Sequence, residues 1–77
     1  MRIQVLGTGC AKCKQLTANA ERAVAELGLA VAVEKVEDIR EIMKFSVMST
    51  PALVVDGKVR SVGKVLAPED VKKLLRA

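Results

Sequence analysis

The chain has two cysteines, and only two residues separate them, in the stretch Gly7-Thr8-Gly9-Cys10-Ala11-Lys12-Cys13. An apolar run, Ile3-Gln4-Val5-Leu6, precedes this stretch, and a helical pattern follows it from Ala11 to Leu27. The pair therefore falls where a strand turns through glycines into the first turn of a helix. No other feature constrains the fold as strongly. Amides at a helix N-terminus favour negative charge, so a thiolate placed there is stabilised and the thiol pKa falls. Lys12 and Lys14 add positive charge nearby. Cysteines three residues apart share one helix face, and their sulfurs can meet in a disulfide without unwinding the helix.

The rest of the chain supplies partners for that first strand. Ile3 to Leu6 is apolar on both pleat faces apart from Gln4, as expected of a central strand covered on both sides. Leu16, Ala20, Ala23, Val24 and Leu27 form one stripe of the first helix, and Gly28 stands in the usual glycine position after its end. Leu29 to Val36 alternates weakly and is rich in β-branched residues, which predicts a second strand. Strand, helix and strand in that order imply a right-handed crossover and a parallel pair. Asp38 followed by Glu41 has the pattern of a capping box, so a short helix is expected from Ile39 to Phe45, with Ile39, Ile42 and Met43 facing inward. A loop from Ser46 to Thr50 leads to Pro51, which pushes Thr50 into an extended conformation.

Ala52-Leu53-Val54-Val55 is a continuous apolar run and predicts another central strand. Asp56-Gly57 is a hairpin signal, and Lys58 to Val62 returns with the charges of an exposed edge. Pro68 fits the first position of a last helix, with Glu69 and Asp70 in its first turn and Lys72, Lys73 and Arg76 near its end. The order is βαβαββα. It implies an α/β fold with a four-stranded mixed sheet in the order 2-1-3-4 and helices on both faces. The first and last helices should share one face, and the middle helix should cover the other.

Composition limits what such a fold can be for. Seventy-seven residues hold one domain, 1–77, and one small core. Phe45 is the only aromatic residue, so that core is built from Val, Leu, Ile, Ala and Met. No apolar run approaches the roughly 18 residues of a membrane span. Met1-Arg2-Ile3-Gln4 reads as entering a strand directly, so no signal peptide is expected. The expected compartment is the cytoplasm, where paired cysteines are more often catalytic or metal-binding than structural. A monomer is expected. The formal charge of +4 is spread along the chain and mixed with acids. A nucleic-acid surface wants a basic stripe interleaved with aromatics, and neither is present. Lys12 and Lys14 instead favour acidic partners near the cysteines.

Three features together carry a family resemblance. Cys10-Ala11-Lys12-Cys13 lies at the strand-to-helix junction, Ser49-Thr50-Pro51 precedes a central strand, and Gly63 follows the hairpin. In these respects, and over nearly its whole length, the chain resembles thioredoxin-fold proteins. The likeness extends to thioredoxins, glutaredoxins and especially the small thioredoxin-like family sometimes named redox-active disulfide protein 2. The resemblance implies a minimal thioredoxin fold and a thiol–disulfide oxidoreductase. Cys10 would be the attacking thiolate, forming a mixed disulfide with a disulfide-containing protein substrate. Cys13 would resolve it. The Thr50–Pro51 bond would be cis, setting Thr50's backbone beside Cys10 to pair with an extended substrate segment. Gly9, Ala11, Lys12, Thr50, Pro51 and Gly63 would form the substrate-binding surface. The redox-active Cys10–Cys13 disulfide would be the only redox group, with no further cofactor, and a flavoprotein thioredoxin reductase would supply electrons. The chain departs from thioredoxins in having Gly9 where they usually have Trp, Ala11-Lys12 in place of Gly-Pro, and Gln4 in place of a buried Asp that assists proton transfer. The aromatic residue and glutathione-binding set of glutaredoxins are also absent from the pattern.

Metal handling is the alternative function. Two thiolates can hold a soft ion such as Cu(I), and small copper-chaperone domains also place a C-x-x-C after a first strand. Those domains run βαββαβ, whereas here a capped helix separates strands two and three and the chain closes with a helix. Zinc wants four ligands, and the chain has no histidine and only these two cysteines. Met43 and Met48 are better read as packing residues than as metal ligands. A structural disulfide would close so short a loop that it constrains the unfolded chain little. A thioredoxin-like module that only binds a partner is a third possibility.

Overall fold

The computed structural model describes residues 1–76; Ala77, the last residue of the domain expected over 1–77, lies outside the described residues. The first strand, β1 (Ile3–Leu6), is buried at all four positions. It pairs in parallel with β2 (Val33–Val36) on one side and antiparallel with β3 (Ala52–Val55) on the other. β4 (Lys58–Val62) pairs antiparallel with β3, giving the order β2-β1-β3-β4. The helices are α1 (Ala11–Glu26), α2 (Ile39–Lys44) and α3 (Pro68–Arg76). This is the mixed four-stranded sheet that the sequence predicts.

Alternation along the two central strands divides the core in two. Ile3, Val5, Leu53 and Val55 point to one face, where they meet Leu16, Ala20, Ala23 and Val24 of α1 and Val71 and Leu75 of α3. Leu6, Ala52 and Val54 point to the other face and meet Ile42 of α2. Each Val, Leu or Ile among them contributes about 1.5–3 kcal/mol when fully buried. The faces are unequal because α1 and α3 together cover the first, and Asn19 Nδ2 of α1 also bonds the Leu66 carbonyl just before α3 at 2.8 Å.

Four local expectations are corrected. β2 starts at Val33 rather than Leu29, because its first partner, Ile3, is the first residue of β1. Leu29 and Val31 pack against the α1 core from the connection instead. α2 ends at Lys44 and turns only Ile42 inward; Ile39 and Met43 are 61% and 69% exposed. Phe45 and Val47, beyond the helix, fill the rest of that face. The capping box is half made: Asp38 Oδ1 accepts from the Arg40 amide at 2.8 Å, but Glu41 bonds Lys44 at 3.1 Å rather than reaching back. Asp56 and Gly57, at φ 52° and 79°, form the left-handed pair of a tight hairpin. The α3 start has no side-chain cap; the Ala67 carbonyl accepts from the Asp70 and Val71 amides, with Pro68 in the first turn. Among the described residues, no helix is long and apolar enough to cross a membrane.

Candidate active site

β1 ends at Leu6, and the Gly7 amide carries its pairing one step further, donating to the Val36 carbonyl at 2.9 Å. The chain then turns, and Cys10 becomes the N-cap of α1 with extended dihedrals. Its sulfur accepts from the Cys13 amide at 3.3 Å, so a thiol occupies the place usually held by a Ser or Asp oxygen. Cys10 is exposed, while Cys13, one turn into the helix, is buried. The two sulfurs lie 2.6 Å apart as free cysteines.

This placement makes the two thiols chemically unequal. The Cys13 thiol, donating to Cys10, is the largest influence holding Cys10 below the ordinary thiol range, followed by the Cys13 amide; the Lys12 amide adds to it. Burial pushes Cys13 up, and the neighbouring Cys10 sulfur raises it further. Lys12 contributes through its backbone amide.

The second half of the site comes from the loop before β3. The Thr50–Pro51 bond is cis. The Gly63 amide donates to the Pro51 carbonyl at 2.8 Å, and Gly63 lies so close to Ser49 that a methyl there would come within 3.2 Å of the Ser49 Cβ. Thr50, Pro51 and Gly63 are thereby held as one unit. Thr50 approaches the cysteines at Gly7: a methyl on Gly7 would lie 3.9 Å from the Thr50 Cβ and 2.3 Å from the Cys13 sulfur. Gly9, Ala11 and Lys12 surround Cys10, with Ala11 and Lys12 exposed. Gly63 joins through Pro51 and Ser49. Gln4 shares the α2 face with Leu6, whereas Val5, which lines a cleft with Cys13, faces the other side of the sheet.

Sequence reasoning missed three residues. Gly7 is read there only as chain geometry, yet its lack of a side chain is what gives the Cys13 sulfur room. Lys35 and Glu37 border, with Lys14, a cleft of about 160 Å³ that Cys13 also lines. The register that pairs Leu6 with Val36 brings this end of β2 beside the cysteine loop. That register, a property of the folded sheet, is what places them. Among the described residues, no group of three or more His, Cys, Asp or Glu is arranged to hold a metal ion.

Two thiols within bonding reach, one exposed and acidic and the other buried and less acidic, are suited to passing between dithiol and disulfide. The fold and this pair define a thiol–disulfide oxidoreductase. The thioredoxin-domain family model matches residues 1–76. A thioredoxin from Methanothermobacter thermautotrophicus is 41% identical over 75 residues, covering 97% of each chain. A thioredoxin from Methanocaldococcus jannaschii is 37% identical over 75 residues, covering 97% of this chain and 86% of its own. The chain belongs to the thioredoxin family.

Proposed function

We propose that the chain, acting as a single domain, reduces disulfide bonds in proteins, with Cys10 as nucleophile and Cys13 as resolving thiol. The observation that carries this assignment is the inequality of the two sulfurs: Cys10 is exposed and favoured as thiolate, Cys13 buried and favoured as thiol. In the first step the Cys10 thiolate bonds to one substrate sulfur, the substrate disulfide breaks, and the other sulfur leaves as thiolate. In the second, Cys13 loses its proton and bonds to the Cys10 sulfur. The bond from Cys10 to the substrate breaks, and the second substrate thiolate departs. The substrate gains two electrons, and the chain is left with the Cys10–Cys13 disulfide.

Gly9, Ala11, Lys12, Thr50 and Gly63 form the surface on which an extended substrate segment lies, and Pro51, fully buried beneath it, sets the backbone of Thr50. A flavoprotein thioredoxin reductase returns the disulfide to the dithiol, no cofactor beyond the cysteines takes part, and the protein works as a monomer in the cytoplasm. The test is a Cys13→Ser variant exposed to cell extract and run on a non-reducing gel, with Cys10→Ser as control. Attack without resolution accumulates mixed disulfides that vanish on reduction, and only in Cys13→Ser. No trapped partner with Cys13→Ser, together with a wild type that binds Cu(I) tightly and reduces no model disulfide, would replace this reading with metal carriage.

A further inference from the structure

Resolution requires Cys13 to give up a proton while it is buried. The candidates to receive it are the groups that border the cleft beside it. Lys14 on α1 and Lys35 on β2 are ammonium donors with no lone pair to offer. Thr17 is committed, its hydroxyl donating to the Cys13 carbonyl at 2.9 Å. Gln4 cannot accept a proton from a thiol and lies on the other face of the sheet. Cys10 is bonded to substrate at that moment. Glu37, in the turn between β2 and α2, is the one carboxylate among the residues lining this cleft.

Its position is set by the backbone. The Gly7 amide holds the Val36 carbonyl, so the next residue is carried alongside the cysteine loop. There Glu37 Oε2 approaches Gly9 so closely that a methyl on Gly9 would come within 3.1 Å of it. Gly9 and Cys13 line the same cleft as Glu37. The cleft, of about 160 Å³, has room for bridging water.

We propose that Glu37 accepts the Cys13 proton, through water in the cleft they share, as Cys13 attacks the mixed disulfide. The inference rests on the oxidoreductase reading above. The proton passes from the Cys13 sulfur to water, and from that water to the Glu37 carboxylate. The Cys13 thiolate then bonds to the Cys10 sulfur and the substrate thiolate leaves. Glu37 returns the proton to solvent, to which it is exposed.

The experiment follows reduced protein mixed rapidly with dithionitrobenzoate, an aromatic disulfide whose released thiolate is coloured. The first release reports attack by Cys10 and depends on reagent concentration; the second reports resolution by Cys13 and does not. Glu37→Gln should leave the first release unchanged and slow the second roughly tenfold at neutral pH. That is less than the hundredfold or more of an enclosed base, because the cleft is open to water. Glu37→Asp should fall between Glu37→Gln and wild type. The difference should shrink as pH rises and hydroxide deprotonates Cys13 directly, a pH profile that a merely structural role would not produce. A second release indifferent to Glu37→Gln at every pH overturns the inference, as does equal slowing of both releases. No release from the wild type would instead bring down the oxidoreductase reading itself.

Discussion

The Cys13 sulfur rests against the bare Cα of Gly7, where a methyl group would lie 2.3 Å from sulfur and 3.0 Å from the Cys13 Cβ. No side chain of any size fits there with Cys13 in place. Gly7→Ala must therefore push Cys13 aside or shift the start of α1. Overpacking of this kind costs about 1–3 kcal/mol. In a domain this small each kcal/mol moves the melting temperature by about 4–8 °C. Thermal melts of the reduced protein should show that loss, and closure of the Cys10–Cys13 disulfide should slow. Unchanged melting and unchanged closure would mean that Cys13 does not pack against Gly7.

The acidity of Cys10 has a source that substitution can isolate. The thiolate is the reactive form, so a lowered pKa means that alkylation of Cys10 reaches its plateau at lower pH than for an ordinary thiol at 9.0. Cys13, raised by burial and by Cys10, should label only at higher pH and more slowly. Because the Cys13 thiol is the leading cause, Cys13→Ala should move the Cys10 midpoint up. Lys12→Gln should leave it in place, since the contribution of Lys12 comes from its amide. Timed alkylation read by mass spectrometry checks all three. An upward move with Lys12→Gln equal to that with Cys13→Ala would restore the ammonium as the cause.

Lys72, 14% exposed, ties α3 to α1 by pairing with Glu26 while also holding Glu69. Lys72, and secondarily Arg22, holds the Glu26 carboxyl below its ordinary 4.5. A carboxyl lowered by folding adds stability above its unfolded pKa, and that stability is lost as pH falls through the folded value. Glu26→Gln should therefore unfold at lower urea than wild type at neutral pH. The gap should close as pH drops below 4.5 and Glu26 itself becomes neutral. A gap of constant size across that range would assign the loss to packing rather than charge.

What the sequence makes legible is what short-range chemistry decides. Ile3 to Leu6 and Ala52 to Val55 are apolar at nearly every position because both faces are covered, and that needs no knowledge of which helix covers them. Asp56-Gly57 and Pro68 mark their turn and helix start by backbone preference alone. The C-x-x-C pair, at a strand end and helix start, is likewise a local pattern. The missing parts depend on partners distant in sequence. Glu37 matters because Gly7 binds Val36, and Gly7 matters because Cys13 folds back onto it. Ile39 and Met43 have the spacing of buried residues, yet Phe45 and Val47 occupy the space they would fill. The amides at the helix start are foreseeable from the C-x-x-C position, whereas the Cys13 thiol donating to Cys10, the leading cause of its acidity, depends on how deeply Cys13 is buried once α1 packs.

Gly63 and Gly28 allow the substrate loop to be tested apart from stability. Both have left-handed backbone, at φ 71° and 67°. An alanine at either should cost about 1–2 kcal/mol from the backbone alone. They differ in surroundings: nothing lies within 4 Å of a Cβ on Gly28, whereas one on Gly63 meets the Ser49 Cβ at 3.2 Å. Ser49 must then yield by a few tenths of an ångström. It is joined directly to Thr50 and Pro51, and Pro51 is bonded to Gly63 itself. Gly63→Ala should therefore displace the loop that presents Thr50, while Gly28→Ala, at the far end of α1, leaves it alone. Urea unfolding should show similar losses for the two variants. Disulfide reduction, measured well below both melting temperatures, should show a raised KM for a protein disulfide only in Gly63→Ala. Equal activity in the two variants would remove Gly63 and its loop from the substrate surface and leave the cysteines to bind substrate without it.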